Sequence, residues 1–283
     1  MKKGVCASCL DFDIEKVVKS KESLKPEWLK ETDFVREFIN SNSMTLKTPY
    51  FSNVEMRLEL GKKLCNKKIL YWAADEKKDK SPIIKDAKVA YNKFENSGVT
   101  KSNDNGSVKI KLGCPQLYKA RQTSDKKYNT FFRHMHFVVE NNGKWDNQIY
   151  TKVVICKYNL EKFMNEKKDD LTVIINALPS EYYGKDHIPK TFNLFNKDVS
   201  KMSIIELEKW FEEVVKIHYP KLNTYIKSKK LKINEVPIIV YCAHEKCNAA
   251  ELTIKELMKK SFVNINEYNG GMKEYRKLYK GDI

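Results

Sequence analysis

The chain has no apolar run that approaches the roughly 20 residues a membrane-spanning helix needs. A helical membrane protein is therefore not expected. Met1-Lys2-Lys3-Gly4-Val5-Cys6 has no long apolar segment behind it, so no secretory signal is expected either. Arginine is scarce: Arg36, Arg57, Arg121, Arg133 and Arg276 are the only five among 53 basic residues. Proteins that read nucleic-acid bases rely on arginine for two-pronged contacts. The formal net charge of +16 is thus weak support for base reading. A Lys-, Asn- and Ile-rich chain is what an AT-rich genome writes whatever the function, that of some large DNA viruses included. Finally, Cys6-Ala7-Ser8-Cys9 is a C-x-x-C pair with no second such pair to close a four-cysteine zinc site.

What is present points to a folded, two-part protein. At 283 residues the chain can build two cores, and an aromatic content of 11% is that of a globular protein. Seven cysteines without a secretory signal imply a reducing compartment, and an odd number leaves at least one unpaired. The expectation is a cytoplasmic protein, or one made in a cell and packaged in a virion. The charge is uneven. Residues 1–168 hold 34 basic against 21 acidic residues, and 169–283 hold 19 against 16. A nucleic acid or other polyanion, if bound, would belong to the N-terminal part.

That part reads as α+β. Val54 to Leu64 is expected to be a short amphipathic helix, Lys68 to Ala73 a strand and Val108 to Leu112 another. Tyr128 to Val139 and Gln148 to Tyr158 flank Asn141-Asn142-Gly143, the pattern of an antiparallel hairpin. His134 and His136, two apart, share one face of their strand. Together with Cys114 or Cys156 they form a candidate metal site, as Cys6 and Cys9 do separately, with zinc the candidate ion. The bland alternatives are locally hydrogen-bonded histidines and free surface thiols. Glu161 to Asp170, rich in lysine and acid, is the expected connector, giving a basic domain over 1–165 and a second over 166–283.

In the second part strands alternate with helices: Leu171 to Ile175, a helix from Met202 to His218 opened by a Ser203-Ile204-Ile205-Glu206 capping box, Ile238 to Tyr241, and Phe262 to Tyr268. Such alternation implies a parallel sheet flanked by helices. Its most informative stretch runs from Val236 to Leu252. Ile238 to Tyr241 is a buried-strand pattern, Cys242 to Cys247 a polar loop, and Asn248 a candidate cap for a helix burying Ala250, Ile254 and Leu257. A cysteine at the carboxyl end of a buried strand, facing a helix N-terminus, is expected to favour its thiolate. Cys242 is therefore the candidate nucleophile. The same loop carries Lys246, a second cysteine, Cys247, and His244, whose ring, if near and charged, would favour the Cys242 thiolate.

Three segments resemble the rhodanese-like domain. Glu181-Tyr182-Tyr183-Gly184-Lys185-Asp186-His187-Ile188-Pro189 is similar to its E-Y-x-x-G-H-I-P signature, with two extra residues before the histidine. Ile239-Val240-Tyr241-Cys242 is similar to its strand ending in the active cysteine. Phe262-Val263-Asn264-Ile265 through Tyr268-Asn269-Gly270-Gly271-Met272-Lys273-Glu274-Tyr275 is similar to its G-F-x-N-V and G-G-[IM]-x-x-[WY] ending. The resemblance implies a rhodanese-like fold over about 169–283 and a thiosulfate-type sulfurtransferase or thiol oxidoreductase. It implies no required cofactor, with a sulfur donor or a protein thiol as partner. It makes Cys242 the residue that carries a persulfide, in a loop of sulfurtransferase length. The chain also departs from the pattern. Glu245 and Cys247 stand where active members have glycine and arginine, and Asn176-Ala177-Leu178 stands where D-x-R is usual. These departures imply either a dithiol cycle of Cys242 and Cys247 or a fold kept as a structural or binding module.

Overall fold

The computed structural model describes residues 17–19, 32–121 and 128–279. The chain divides into two compact units, one ending at Val154 and the other running from Ile155, with Ser81–Ile83 assigned to the second. Cys6 and Cys9 lie outside the described residues. Among those described, no helix is long and apolar enough to cross a membrane.

The first unit is built mainly of antiparallel strands. They are β1 (Val18–Lys19), β2 (Val54–Glu59), β3 (Lys68–Ala73), β4 (Lys85–Asp86), β5 (Ser97–Lys101), β6 (Ser107–Leu112), β7 (Tyr118–Arg121), β8 (Tyr128–Phe131), β9 (His134–Asn141), β10 (Lys144–Trp145) and β11 (Tyr150–Val153). The largest sheet has the order β1-β11-β9-β3-β5, with β10 folded back on β9. β3 lies between β9 and β5 and has almost every side chain buried, as its unbroken apolar run requires. The expected hairpin is present in β9 and β11, where Phe137 faces Tyr150. The expected helix over Val54 to Leu64 is instead β2, paired with β6 from Val54↔Leu112 to Glu59↔Ser107. Pairing with β6 selects the two-residue period over the helical one. Val54, Met56 and Leu58 alternate with Glu55, Arg57 and Glu59, which suits a strand with one face covered. Helix α1 (Thr32–Ser41) buries Val35 and Ile39, its Phe38 stacks on Phe94 at 4.2 Å, and a short α2 (Ala87–Tyr91) follows β4.

His134 and His136 do share a face, and both are buried. Their Nε2 atoms lie 3.2 Å apart. The His134 Nδ1–H donates to the Phe132 carbonyl at 2.6 Å, so in the neutral ring Nε2 is the acceptor. The Tyr118 hydroxyl reaches it at 3.0 Å. Cys114 and Cys156 are each held in a disulfide, so neither can complete a thiolate site here, contrary to the reduced thiols expected. Among the described residues no group of three or more His, Cys, Asp or Glu side chains is placed to hold a metal.

Burial pulls the His134 pKa down to about 4. An unfolded histidine takes up its proton near pH 6.5. The neutral buried ring therefore stabilises the fold fully above that pH, and the contribution is lost as pH falls toward 4. The first unit should lose on the order of 1 kcal/mol per pH unit across that window. Urea midpoints at pH 7, 6 and 5 would measure it. His134→Gln should lower stability at pH 7 and flatten the slope; an unchanged slope in that variant would refute the assignment.

The second unit holds a five-stranded, all-parallel sheet of β12 (Lys157–Tyr158), β13 (Val173–Asn176), β14 (Phe192–Asn193), β15 (Ile238–Tyr241) and β16 (Ile265–Tyr268), in the order β12-β16-β15-β13-β14. β13, β15 and β16 are buried at every position, as expected of strands covered on both faces. Around them lie α3 (Leu160–Asp169), α4 (Ser180–Tyr183), α5 (Asn196–Lys201), α6 (Ile204–His218), α7 (Pro220–Lys227), α8 (Ala249–Lys259) and α9 (Gly271–Tyr279).

The stretch at 161–170 is not an extended connector: it is α3, capped by Asn159, and its Phe163 stacks on Tyr268 at 4.2 Å. The Ser203 to Glu206 capping box is formed in both directions. In this helix Phe211, Val214 and Val215 are buried, whereas Ile205 is 66% exposed. The sheet order sends the chain from β13 to β14 on one side and from β15 to β16 on the other. The loops leaving these adjacent strands therefore diverge, which in open α/β sheets opens a crevice at the strands' carboxyl ends.

Candidate functional site

Cys242 follows directly on β15 and is 3% exposed. The residue before it is tied down from a distance. The Tyr241 hydroxyl accepts the Ile188 N–H at 3.0 Å and bonds the Thr191 hydroxyl at 3.0 Å. Tyr183 stacks on His187 at 4.0 Å and donates its hydroxyl to the Thr191 carbonyl at 2.5 Å. The segment from Glu181 to Pro189 thus fixes the end of β15 through the Ile188 main chain, and through Thr191, which Tyr183 holds in place. In this structure it is an anchor for the strand.

The loop itself is a tight turn, with the Cys247 N–H donating to the His244 carbonyl at 2.9 Å. From the other side α9 grips it: the Met272 N–H donates to the Cys242 carbonyl and the Lys273 N–H to the Ala243 carbonyl, both at 2.9 Å. Gly271 makes that grip attainable. Its φ is +58°, in the left-handed region, and a Cβ there would overlap the Cys242 carbonyl oxygen. The helix after the loop buries Ala250, Ile254 and Leu257 as expected. Asn248 stands at the cap position, but its side chain makes no capping hydrogen bond.

The sulfur's surroundings differ from the expectation of a ready thiolate. The Cys242 S–H donates to the Cys247 carbonyl at 3.2 Å, an acceptor that favours the protonated form. Burial is the largest influence and the neighbouring Cys247 thiol the next, and together they push the Cys242 thiol up to about 12. The Ala250 and His244 main chains act in the opposite direction, and the helix N-terminus is outweighed. The physical reason is access. A helix terminus stabilises an anion by a fraction of what it costs to remove that anion from water.

The structure brings Cys242 and Cys247 together within the loop, the Cys242 Sγ lying 3.2 Å from the Cys247 carbonyl oxygen. Cys247 is half-buried, while His244, Glu245 and Lys246 are exposed on the rim. The His244 ring turns back to accept the Lys246 N–H at 3.3 Å. It is the His244 main chain that touches the sulfur. Where D-x-R is usual, Asn176 closes a local turn by accepting the Leu178 N–H at 2.8 Å. Glu245 is held below the usual carboxylate range by its own main-chain N–H and by Lys273. Lys185, Lys273 and Arg276, which flank the loop, were not among the site residues expected from sequence, although the first two fall within the segments that carry the resemblance. His134 and His136 belong to the first unit, away from this loop in the chain.

No curated protein matches the chain. Among solved structures it is similar to the human single-domain sulfurtransferase TSTD1, at 14% identity over 45% of this chain and 98% of that one, with a TM-score of 0.32. It is similar to the Saccharomyces cerevisiae single-domain sulfurtransferase RDL2 at 16% identity over 46% of this chain and 95% of that one, TM-score 0.33. An uncharacterized protein from Saccharomyces cerevisiae matches at 22% identity over 45% of this chain and 95% of that one, TM-score 0.31. The family model of the rhodanese-like domain matches residues 159–278, and this segment, within the second compact unit, is the rhodanese-like part of the chain.

Proposed function

We propose that the second unit is a sulfur carrier of the rhodanese type, with Cys242 as nucleophile and Cys247 as resolving thiol. The observation that supports it best is a second cysteine held against the first in one short loop at the carboxyl end of β15, with the Cys242 Sγ 3.2 Å from the Cys247 carbonyl oxygen. In the first step Cys242 gives its proton to solvent and the thiolate attacks the outer sulfur of a donor R–S–S⁻. A Cys242 S–S⁻ bond forms, the donor S–S bond breaks, and R–S⁻ leaves with the electron pair. An acceptor thiolate then takes the outer sulfur and restores Cys242. If Cys247 attacks the inner sulfur instead, hydrogen sulfide leaves and a Cys242–Cys247 disulfide remains, which an external dithiol reduces. Lys246 on the rim supplies positive charge toward the departing anion, beside the His244 ring that accepts its main-chain N–H.

A second reading rests on the raised Cys242 thiol. A buried, protonated cysteine in a loop that carries Glu245 and Cys247 also suits a rhodanese fold kept as a binding module, with the lysine-rich first unit contacting a polyanion or protein. One experiment separates the two. The protein is incubated with a persulfide donor and the Cys242 peptide is weighed. The carrier reading expects a gain of one sulfur atom, or loss of two hydrogens as the Cys242–Cys247 disulfide. Cys242→Ser should show neither. An unmodified wild-type peptide would leave the module reading standing alone.

A further inference from the structure

Beside the cysteine loop lies a pocket of about 470 Å³. Leu178 comes to it from the end of β13, and Ala243 and His244 from the end of β15. It therefore occupies the crevice where the loops leaving these adjacent strands diverge, the place at which open α/β sheets receive ligands. Its size is that of a site for a small organic molecule, well beyond a bare inorganic oxyanion.

The lining has two characters. Leu178, Tyr182 and Met272 give it an apolar floor. Lys185, Lys273 and Arg276 bring three cations against one carboxylate, Asp186. That carboxylate is engaged by Arg276 through Nη2. A guanidinium has five N–H donors in a fixed fork, so pairing at one nitrogen orients it and leaves donors for a second oxyanion. Lys273 is drawn toward Glu245, which lines a different cleft on the other side of α9. Lys185 lies over the Tyr182 ring at 5.6 Å, a contact that leaves ammonium N–H donors for an anion. Arg276 and Lys185 are then the cations placed to meet an acidic group in this pocket.

We infer that this pocket binds a small organic anion: a ring-sized apolar body on Leu178, Tyr182 and Met272, and a single carboxylate or sulfonate head on Arg276 and Lys185. Arg276, from outside the loop, supplies the fork that position 247 lacks. That such an anion is the non-transferred part of the sulfur donor or acceptor rests on the sulfur-carrier reading; the binding itself does not.

The test uses the full chain with Cys242→Ser, so that no sulfur chemistry occurs, titrated by calorimetry with benzenesulfonate, benzoate and inorganic sulfate. Either aromatic anion should bind saturably and about tenfold or more tighter than sulfate, and Arg276→Gln should weaken it by a similar factor. Both Arg276 and Lys185 are surface residues, and Lys185→Gln provides a second variant should the first perturb folding. Equal binding of sulfate, no saturable binding of either aromatic, or affinity unchanged in both variants would overturn the inference. Binding without a sulfur adduct on wild type would sink only the carrier reading. An adduct without binding would sink only this one.

Discussion

Replacing Gly271 with alanine is expected to destabilise the second unit by about 3 kcal/mol and to disorder the grip of α9 on the cysteine loop. Two causes add. At a φ of +58° an L-residue pays roughly 1–2 kcal/mol for the left-handed conformation alone. The added methyl would also meet the Cys242 carbonyl oxygen, the Ala243 carbonyl carbon and the His244 nitrogen, the last two at 2.9 Å. These are main-chain atoms, so no side chain can swing away. Relief requires moving α9 or the loop, at the cost of the Met272 and Lys273 hydrogen bonds at 2.9 Å. Gly143 is the comparison: its φ is +76°, yet a Cβ there meets nothing within 4 Å. Gly143→Ala in the first unit carries the backbone cost without the collision. Urea unfolding followed separately for each unit would test the pair. Equal losses at the two sites would mean that Gly271 serves only the turn.

Much of the second unit's fold is legible in sequence because parallel strands covered on both faces must be short unbroken apolar runs. Ile238–Tyr241 is one, and no solvent-facing alternation competes with it. The capping box at Ser203 is equally local, since its partners are three residues apart. Where side chains of both periods fit, only tertiary pairing decides. Met56, Leu58, Leu60 and Leu64 tolerate a helical spacing, but β6 supplies edge hydrogen bonds that make β2 a strand. The connector at 161–170 is charged on its outer face alone, and its one buried anchor, Phe163, acquires meaning from Tyr268, a hundred-odd residues later. The pocket beside the loop is assembled from the ends of two strands and two helices. No local pattern could have announced Arg276 or Lys185, for each is an ordinary basic residue until the fold sets them beside His244.

The sharpest disagreement between sequence and structure is Cys242, and it has a measurable consequence. A free thiol ionises near pH 8.5 and reacts with iodoacetamide as its thiolate. With the Cys242 thiol pushed up to about 12, the thiolate fraction at pH 8 falls by roughly a thousandfold relative to a free thiol. Burial at 3% exposure slows approach further. Peptide-resolved alkylation of the resting protein at pH 8 should therefore leave Cys242 unmodified over a period in which a free cysteine reacts completely. The rate should still be rising at pH 10. The same displacement makes a linked claim about stability. A thiol raised above its unfolded value stabilises the fold fully below about pH 9. That contribution is lost as pH climbs toward the folded value, so wild type should lose stability relative to Cys242→Ala on the order of 1 kcal/mol per pH unit above pH 9. If Cys242 alkylates at pH 8 as fast as a free thiol, the closed loop is not the resting state. In that event the Ala250 and His244 main chains, which favour the thiolate, outweigh burial after all. If it stays inert until a donor is added and then gains sulfur, the Cys247 carbonyl that holds its proton is the contact the donor must displace.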